Sequence, residues 1–136
     1  MREITKIITL PVGEESMPFR LTKLDAFSGG RLLKLLSATQ GKAEGNLTLY
    51  DFLFSLEDAE FDSVIRVCLA HAEAQLPAGF IPVYRDQCWG LPELEYETRL
   101  CLKLTLEVMA FSLESFFPGS GLTSSRGEEA SSRQSR

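Results

Sequence analysis

Residues 100–117 read Leu-Cys-Leu-Lys-Leu-Thr-Leu-Glu-Val-Met-Ala-Phe-Ser-Leu-Glu-Ser-Phe-Phe, and their periodicity decides what kind of fold the chain can adopt. Neither proline nor glycine occurs between Glu93 and Phe117. Leu91-Pro92-Glu93 suits a helix start, because the first turn does not need the N–H that proline lacks. One long helix is therefore predicted from Pro92 or Glu93 to Phe117. On a helical wheel Arg99, Lys103, Glu107 and Glu114 share a stripe roughly 80° wide. Nearly every other position from Leu100 onward is apolar or small. A surface helix normally shows the reverse, one apolar stripe on a polar cylinder. This helix must be covered on several sides, by its own domain or by another chain.

Working upstream, Ala59 to Gln75 predicts a second helix. Phe61, Val64, Ile65, Cys68, Leu69 and Ala72 fall on one face, opposite Asp62, Arg66 and Glu73. Leu76-Pro77-Ala78-Gly79 ends it. Phe80 to Trp89 alternates at Ile81, Val83 and Tyr84 and reads as one more strand, which Pro82 confines to an edge. Thr48-Leu49-Tyr50-Asp51 resembles a capping box ahead of Phe52, Leu53, Phe54 and Leu56. Gln40 to Asn46 is a loop by composition. Asp25 can cap a helix whose apolar face is Leu32, Leu33, Leu35 and Leu36. Gly29-Gly30 either delays that helix to Arg31 or admits a close contact. At the N-terminus, β-branched residues Ile4 to Thr9, a turn over residues 13–16 and Phe19-Arg20-Leu21-Thr22 predict a β-hairpin.

The expected fold is thus a single α+β domain over residues 1–117. It is mainly helical, with an N-terminal β-hairpin and a long C-terminal helix. Residues 118–136 are rich in serine, glycine and arginine and are expected to be a disordered tail.

Composition narrows the function. The chain has 136 residues, 44% hydrophobic, enough for one core without staples. With 14 basic against 19 acidic residues its formal charge is −5, and no basic cluster of the kind that tracks phosphates is present. Nucleic acid is not an expected partner. No apolar stretch approaches a membrane span, and Met1 to Leu10 does not read as a signal peptide. Three unevenly spaced cysteines suit a reducing compartment.

No set of residues spells out catalysis or metal binding. Cys68, His71, Cys88 and Cys101 lack the paired short spacings of a zinc site. Cys68 belongs to an apolar face, where a thiol acts as a small hydrophobe. His71, the single histidine, flanks that face, and no nucleophile signature surrounds any cysteine. Ser28-Gly29-Gly30-Arg31 lacks the spacing of either nucleotide-binding glycine motif. The acidic groups Glu14-Glu15, Glu57-Asp58-Glu60 and Glu93-Glu95-Glu97 read as solvated positions near element starts. The expectation is a protein without enzymatic activity, cofactor or metal. The aromatic and methionine surface of the last helix is left as the candidate partner site: Leu106, Met109, Phe111, Leu113, Phe116 and Phe117.

The element order resembles the tail assembly chaperones of long-tailed bacteriophages. The hairpin running into Leu24-Asp25-Ala26-Phe27-Ser28-Gly29-Gly30-Arg31-Leu32-Leu33-Lys34-Leu35-Leu36 is similar to that family's opening strand-to-helix segment. Trp89 to Phe117, ending in an aromatic pair, is similar to its closing helix, with Ser112-Leu113 where members often carry Asn-Phe. The resemblance implies a virus-encoded chaperone that coats and solubilises the tape measure protein and helps recruit tail tube subunits. It further implies a longer, frameshifted product as tube recruiter, action in the host cytoplasm, and absence from the mature virion. Self-association is compatible with it. A head–tail or tail-completion protein retained in the particle is the alternative.

Overall fold

The computed structural model describes residues 4–40 and 48–114. The chain opens with β1 (Thr5–Val12) and β2 (Glu15–Thr22), paired antiparallel across a two-residue turn. Gly13 sits at φ +66° in that turn, the left-handed backbone that a tight hairpin gives to glycine. Helix α1 (Ala26–Gln40) follows, then α2 (Leu49–Phe54) and α3 (Asp58–Ala70). The chain returns to the sheet through β3 (Ala72–Leu76) and β4 (Gly79–Pro82). A separate hairpin, β5 (Tyr84–Arg85) and β6 (Cys88–Trp89), leads to a 3₁₀ turn (Pro92–Tyr96) and the closing helix α4 (Thr98–Leu113). The main sheet has four antiparallel strands in the order β1-β2-β3-β4. The fold is α+β, with the predicted hairpin and C-terminal helix both present.

The starts of α1 and α2 follow the capping chemistry. Thr48 Oγ1 accepts from the Asp51 N–H at 3.0 Å. Asp25 accepts from the Ser28 N–H at 3.3 Å, and hydrogen bonding from Ser28 holds its carboxyl below the usual 3.8. Both Gly29 and Gly30 lie inside α1, and neither is there for a close approach. A Cβ on Gly29 would meet Leu24 at an ordinary 3.8 Å, and one on Gly30 would meet nothing within 4 Å.

Three elements differ from their predicted bounds. The helix predicted to Gln75 stops at Ala70, with His71 as its C-cap, and residues 72–76 are a strand. Alanine, glutamate and glutamine favour a helix locally, but pairing with β2 outweighs that preference. Ala72 lies opposite Leu21 and Ala74 opposite Phe19, small against large, and all four are buried. On the outer face Glu73 pairs in register with Arg20, whose Nε donates to it at 2.8 Å. Pro82 does lie on the sheet edge, but the strand ends there, and residues 84–89 fold into their own hairpin. The single closing helix is broken at Glu97 into the 3₁₀ turn and α4. The loop predicted from Gln40 lies, beyond that residue, outside the described residues, as does the expected disordered tail.

The core is built around α4. It packs on α2, α3, the 3₁₀ turn and strands β1 and β2. Leu104, Val108 and Met109 have no exposure at all. The apolar excess of this helix is therefore consumed by its own chain. Two polar residues go inside with it: Thr105 Oγ1 donates to the Cys101 carbonyl at 2.8 Å, and Glu107 meets Lys103 at 3.2 Å. Each is thereby compensated for the loss of water.

Among the described residues, Gly90 is the one glycine at a forced approach. A Cβ there would lie 1.9 Å from the Pro82 carbonyl oxygen, while the Gly90 N–H donates to Val83 at 3.0 Å. Gly90→Ala should cost about 1–3 kcal/mol or more through overpacking. Gly30→Ala, in open helical space, should instead add roughly 0.5–1 kcal/mol. Urea unfolding of the two variants beside the parent checks both signs.

Candidate functional site

The apolar face of α3 does two jobs. Val64, Cys68 and Leu69 are buried, whereas Phe61 and Ile65 are only half-buried. Phe61, Ile65 and Leu69 are four apart, so they form one row along the helix. That row is the floor of an open groove of roughly 460 Å³. The first turns of α4 supply its second side through Thr98, Cys101 and Leu102. Phe54, at the end of α2, and the β5–β6 hairpin, through Tyr84 and Trp89, supply the remaining walls. Asp62, Arg66 and Glu95 are its charged groups.

Aromatic contacts line both walls. Tyr50 and Phe54 meet at a tilt with ring centroids 4.6 Å apart, and Phe54 meets Phe61 at 5.6 Å. Across the groove Tyr84 and Trp89 pack edge to face at 4.9 Å. Phe54 and Tyr50 remain 47% and 50% exposed, far wetter than aromatics in the core. Arg66 Nη1 donates to the Tyr84 hydroxyl at 2.7 Å, and its guanidinium lies 5.6 Å from that ring's centroid. The hairpin carrying this wall turns through Asp86 and Gln87 at φ +56° and +62°. A primed two-residue turn demands such backbone, and here it is taken without glycine.

The groove presents an apolar surface to solvent. Its lining is mostly aromatic and aliphatic, with charge at few points and no histidine. Cys101 is the nearest thiol, but burial, with the Glu97 charge adding to it, pushes its pKa up to about 11. Its Sγ is turned to the Leu94 carbonyl at 3.5 Å.

The residues expected to face a partner are placed differently. Leu106, Met109, Phe111 and Leu113 are buried inside the chain's own core. The Phe111 ring is further covered by Lys6 and Lys23, whose Nζ atoms lie 5.2 and 5.1 Å from its centroid. Phe116 and Phe117 lie outside the described residues. Cys68, His71, Cys88 and Cys101 are not drawn together. Among the described residues no three histidine, cysteine or acidic side chains gather as a metal set. His71 Nδ1 lies 2.9 Å from the Val67 carbonyl, and Nε2 faces Asp25 at 3.8 Å. In Ser28-Gly29-Gly30-Arg31 the Ser28 and Gly29 N–H groups are already bonded to Asp25. No helix among the described residues is long and apolar enough to cross a membrane.

Sequence reasoning missed the groove. Phe61 and Ile65 were legible as an apolar face, but nothing in the pattern separates its buried half from its open half. Tyr84 and Trp89 reach the site only because the hairpin folds back over α3. No family model, curated protein or solved structure matches the chain.

The thiols offer a direct check of this arrangement. Cys68 is wholly buried, its pKa pushed up to about 12, whereas Cys88 is exposed. Titration of the native protein with a thiol reagent near neutral pH should modify Cys88 quickly. Cys68 and Cys101 should react only after denaturant is added. Fast modification of Cys68 under native conditions would contradict its burial in the core.

Proposed function

We propose that the protein is a non-catalytic tail assembly chaperone of a long-tailed bacteriophage, binding the tape measure protein through the groove between α3 and α4. The observation that carries the site is an open, aromatic-walled groove beside a core that is already closed. Exposed aromatics around an apolar floor are the usual mark of a protein-binding surface. A row of side chains four apart suits the evenly spaced apolar anchors of a helical partner. The volume accommodates the side chains of such a helix, not its whole cylinder.

The identity of the partner comes from the resemblance of the opening and closing segments to the tail chaperones. On this reading the protein acts in the host cytoplasm, keeps the tape measure protein soluble, and leaves no copy in the finished virion. Recruitment of tail tube protein belongs to a longer product of the same gene. The partner surface proposed here is the groove, since Leu106, Met109, Phe111 and Leu113 are spent on the core.

Co-expression with the tape measure protein of the same genome tests the proposal. The wild-type chain should retain that protein on a column and carry it from the insoluble to the soluble fraction. A Phe54→Glu, Ile65→Glu double variant should keep its circular dichroism spectrum yet lose retention by about tenfold or more, as loss of central anchors does. A partner that stays insoluble beside the wild-type chain, or that binds the variant equally well, would overturn it.

A further inference from the structure

The charges at the groove point to the kind of helix it takes. Asp62 stands on α3 and Glu95 on the 3₁₀ turn, so the two carboxylates come from different elements lining the groove. Both are exposed, and neither has an ion-pair partner among the described residues. Further acids flank each on the same elements: Asp58 and Glu60 on α3, Glu93 on the 3₁₀ turn. The groove's one cation, Arg66, forms an ion pair with neither, its guanidinium held instead by the Tyr84 hydroxyl and ring. An apolar floor is thus bordered by unpaired negative charge, in a chain whose formal charge is −5.

We propose that the groove selects an amphipathic helix whose apolar stripe is flanked by lysine or arginine, its anchors entering between Phe54, Ile65 and Trp89 and its cations meeting Asp62 and Glu95. This rests on the groove being a seat for a helix and adds which helices it admits. The apolar contacts supply adhesion, while the rim charges favour basic flanks and repel acidic ones. Acidic amphipathic helices, including any on a second copy of this acidic chain, are thereby discriminated against.

The test uses the full-length chain and two designed peptides of about five helical turns sharing one leucine–phenylalanine stripe. One peptide is flanked by lysine, the other by glutamate, and each carries a fluorophore for anisotropy. At low salt the lysine-flanked peptide should bind about tenfold more tightly, the sum of several exposed charge pairs. The preference should shrink towards parity at about 1 M salt, where the screening length is about 3 Å. Asp62→Lys with Glu95→Lys, both at exposed positions, should reverse it. Trp89, the only tryptophan in the chain, should change its emission on binding, which locates the peptide in the groove.

Equal affinity for the two peptides, failure of both to bind, a preference indifferent to the double substitution, or binding that leaves Trp89 emission unchanged would each overturn the proposal. The outcomes separate it from the chaperone reading. If the tape measure protein is solubilised equally by the wild type and the charge-reversed variant, the chaperone reading stands and the selection rule fails. If the lysine-flanked peptide binds as described but the tape measure protein stays insoluble, the selection rule stands and the chaperone reading fails.

Discussion

Helix α4 can be left in water along only one narrow stripe, and the cost of exposing the rest of it sets where the other elements go. Burying a large apolar side chain is worth about 1.5–3 kcal/mol, and α4 brings Leu100, Leu104, Leu106, Val108, Met109, Phe111 and Leu113 to the core. No single helix or sheet can cover so broad a surface. The chain answers with α2 and α3 together with the inner face of the β1–β2 hairpin. Lys6 and Lys23 close the last gap by lying over Phe111. The polar residues drawn inside, Thr105 and Glu107, each find a partner within one turn of the same helix.

The groove is a by-product of this wrapping. The apolar face of α3 is wider than α4 can cover, so Val64 and Cys68 go inward and Phe61 and Ile65 stay at the margin. Polar residues would suffice at such a margin. This chain adds aromatics instead, from α2 and from a hairpin whose turn spends two left-handed, non-glycine residues. The forced approach of Gly90 to Pro82 seats the same hairpin beside the sheet edge. The exposed Phe54 ring of α2 and the Tyr84–Trp89 ring pair of the hairpin thus border the same groove.

Features governed by neighbouring residues were legible in the sequence. The hairpin around Gly13, the caps at Asp25 and Thr48, the edge position of Pro82 and the over-apolar helix all follow from local chemistry, and all are present. Features governed by distant partners were not. Ala72-Glu73-Ala74-Gln75 reads as helix until Phe19 and Leu21 offer it a strand partner. A helical wheel shows that α4 must be covered on many sides but not by what. That is why a partner surface was expected at Leu106, Met109, Phe111 and Leu113, where the chain covers itself. The groove depends on residues from α2, α3, α4 and a hairpin, whose meeting no periodicity encodes.

Native-state hydrogen exchange along α4 tests the central claim most directly. If the chain itself wraps this helix, the amides from Leu104 to Phe111 will exchange only through global unfolding. They will then be among the slowest in the protein, with the same denaturant dependence as the whole transition. If instead they exchange as fast as residues at the surface, without that dependence, α4 is not held by its own fold. The account of both the core and the groove beside it would then be contradicted.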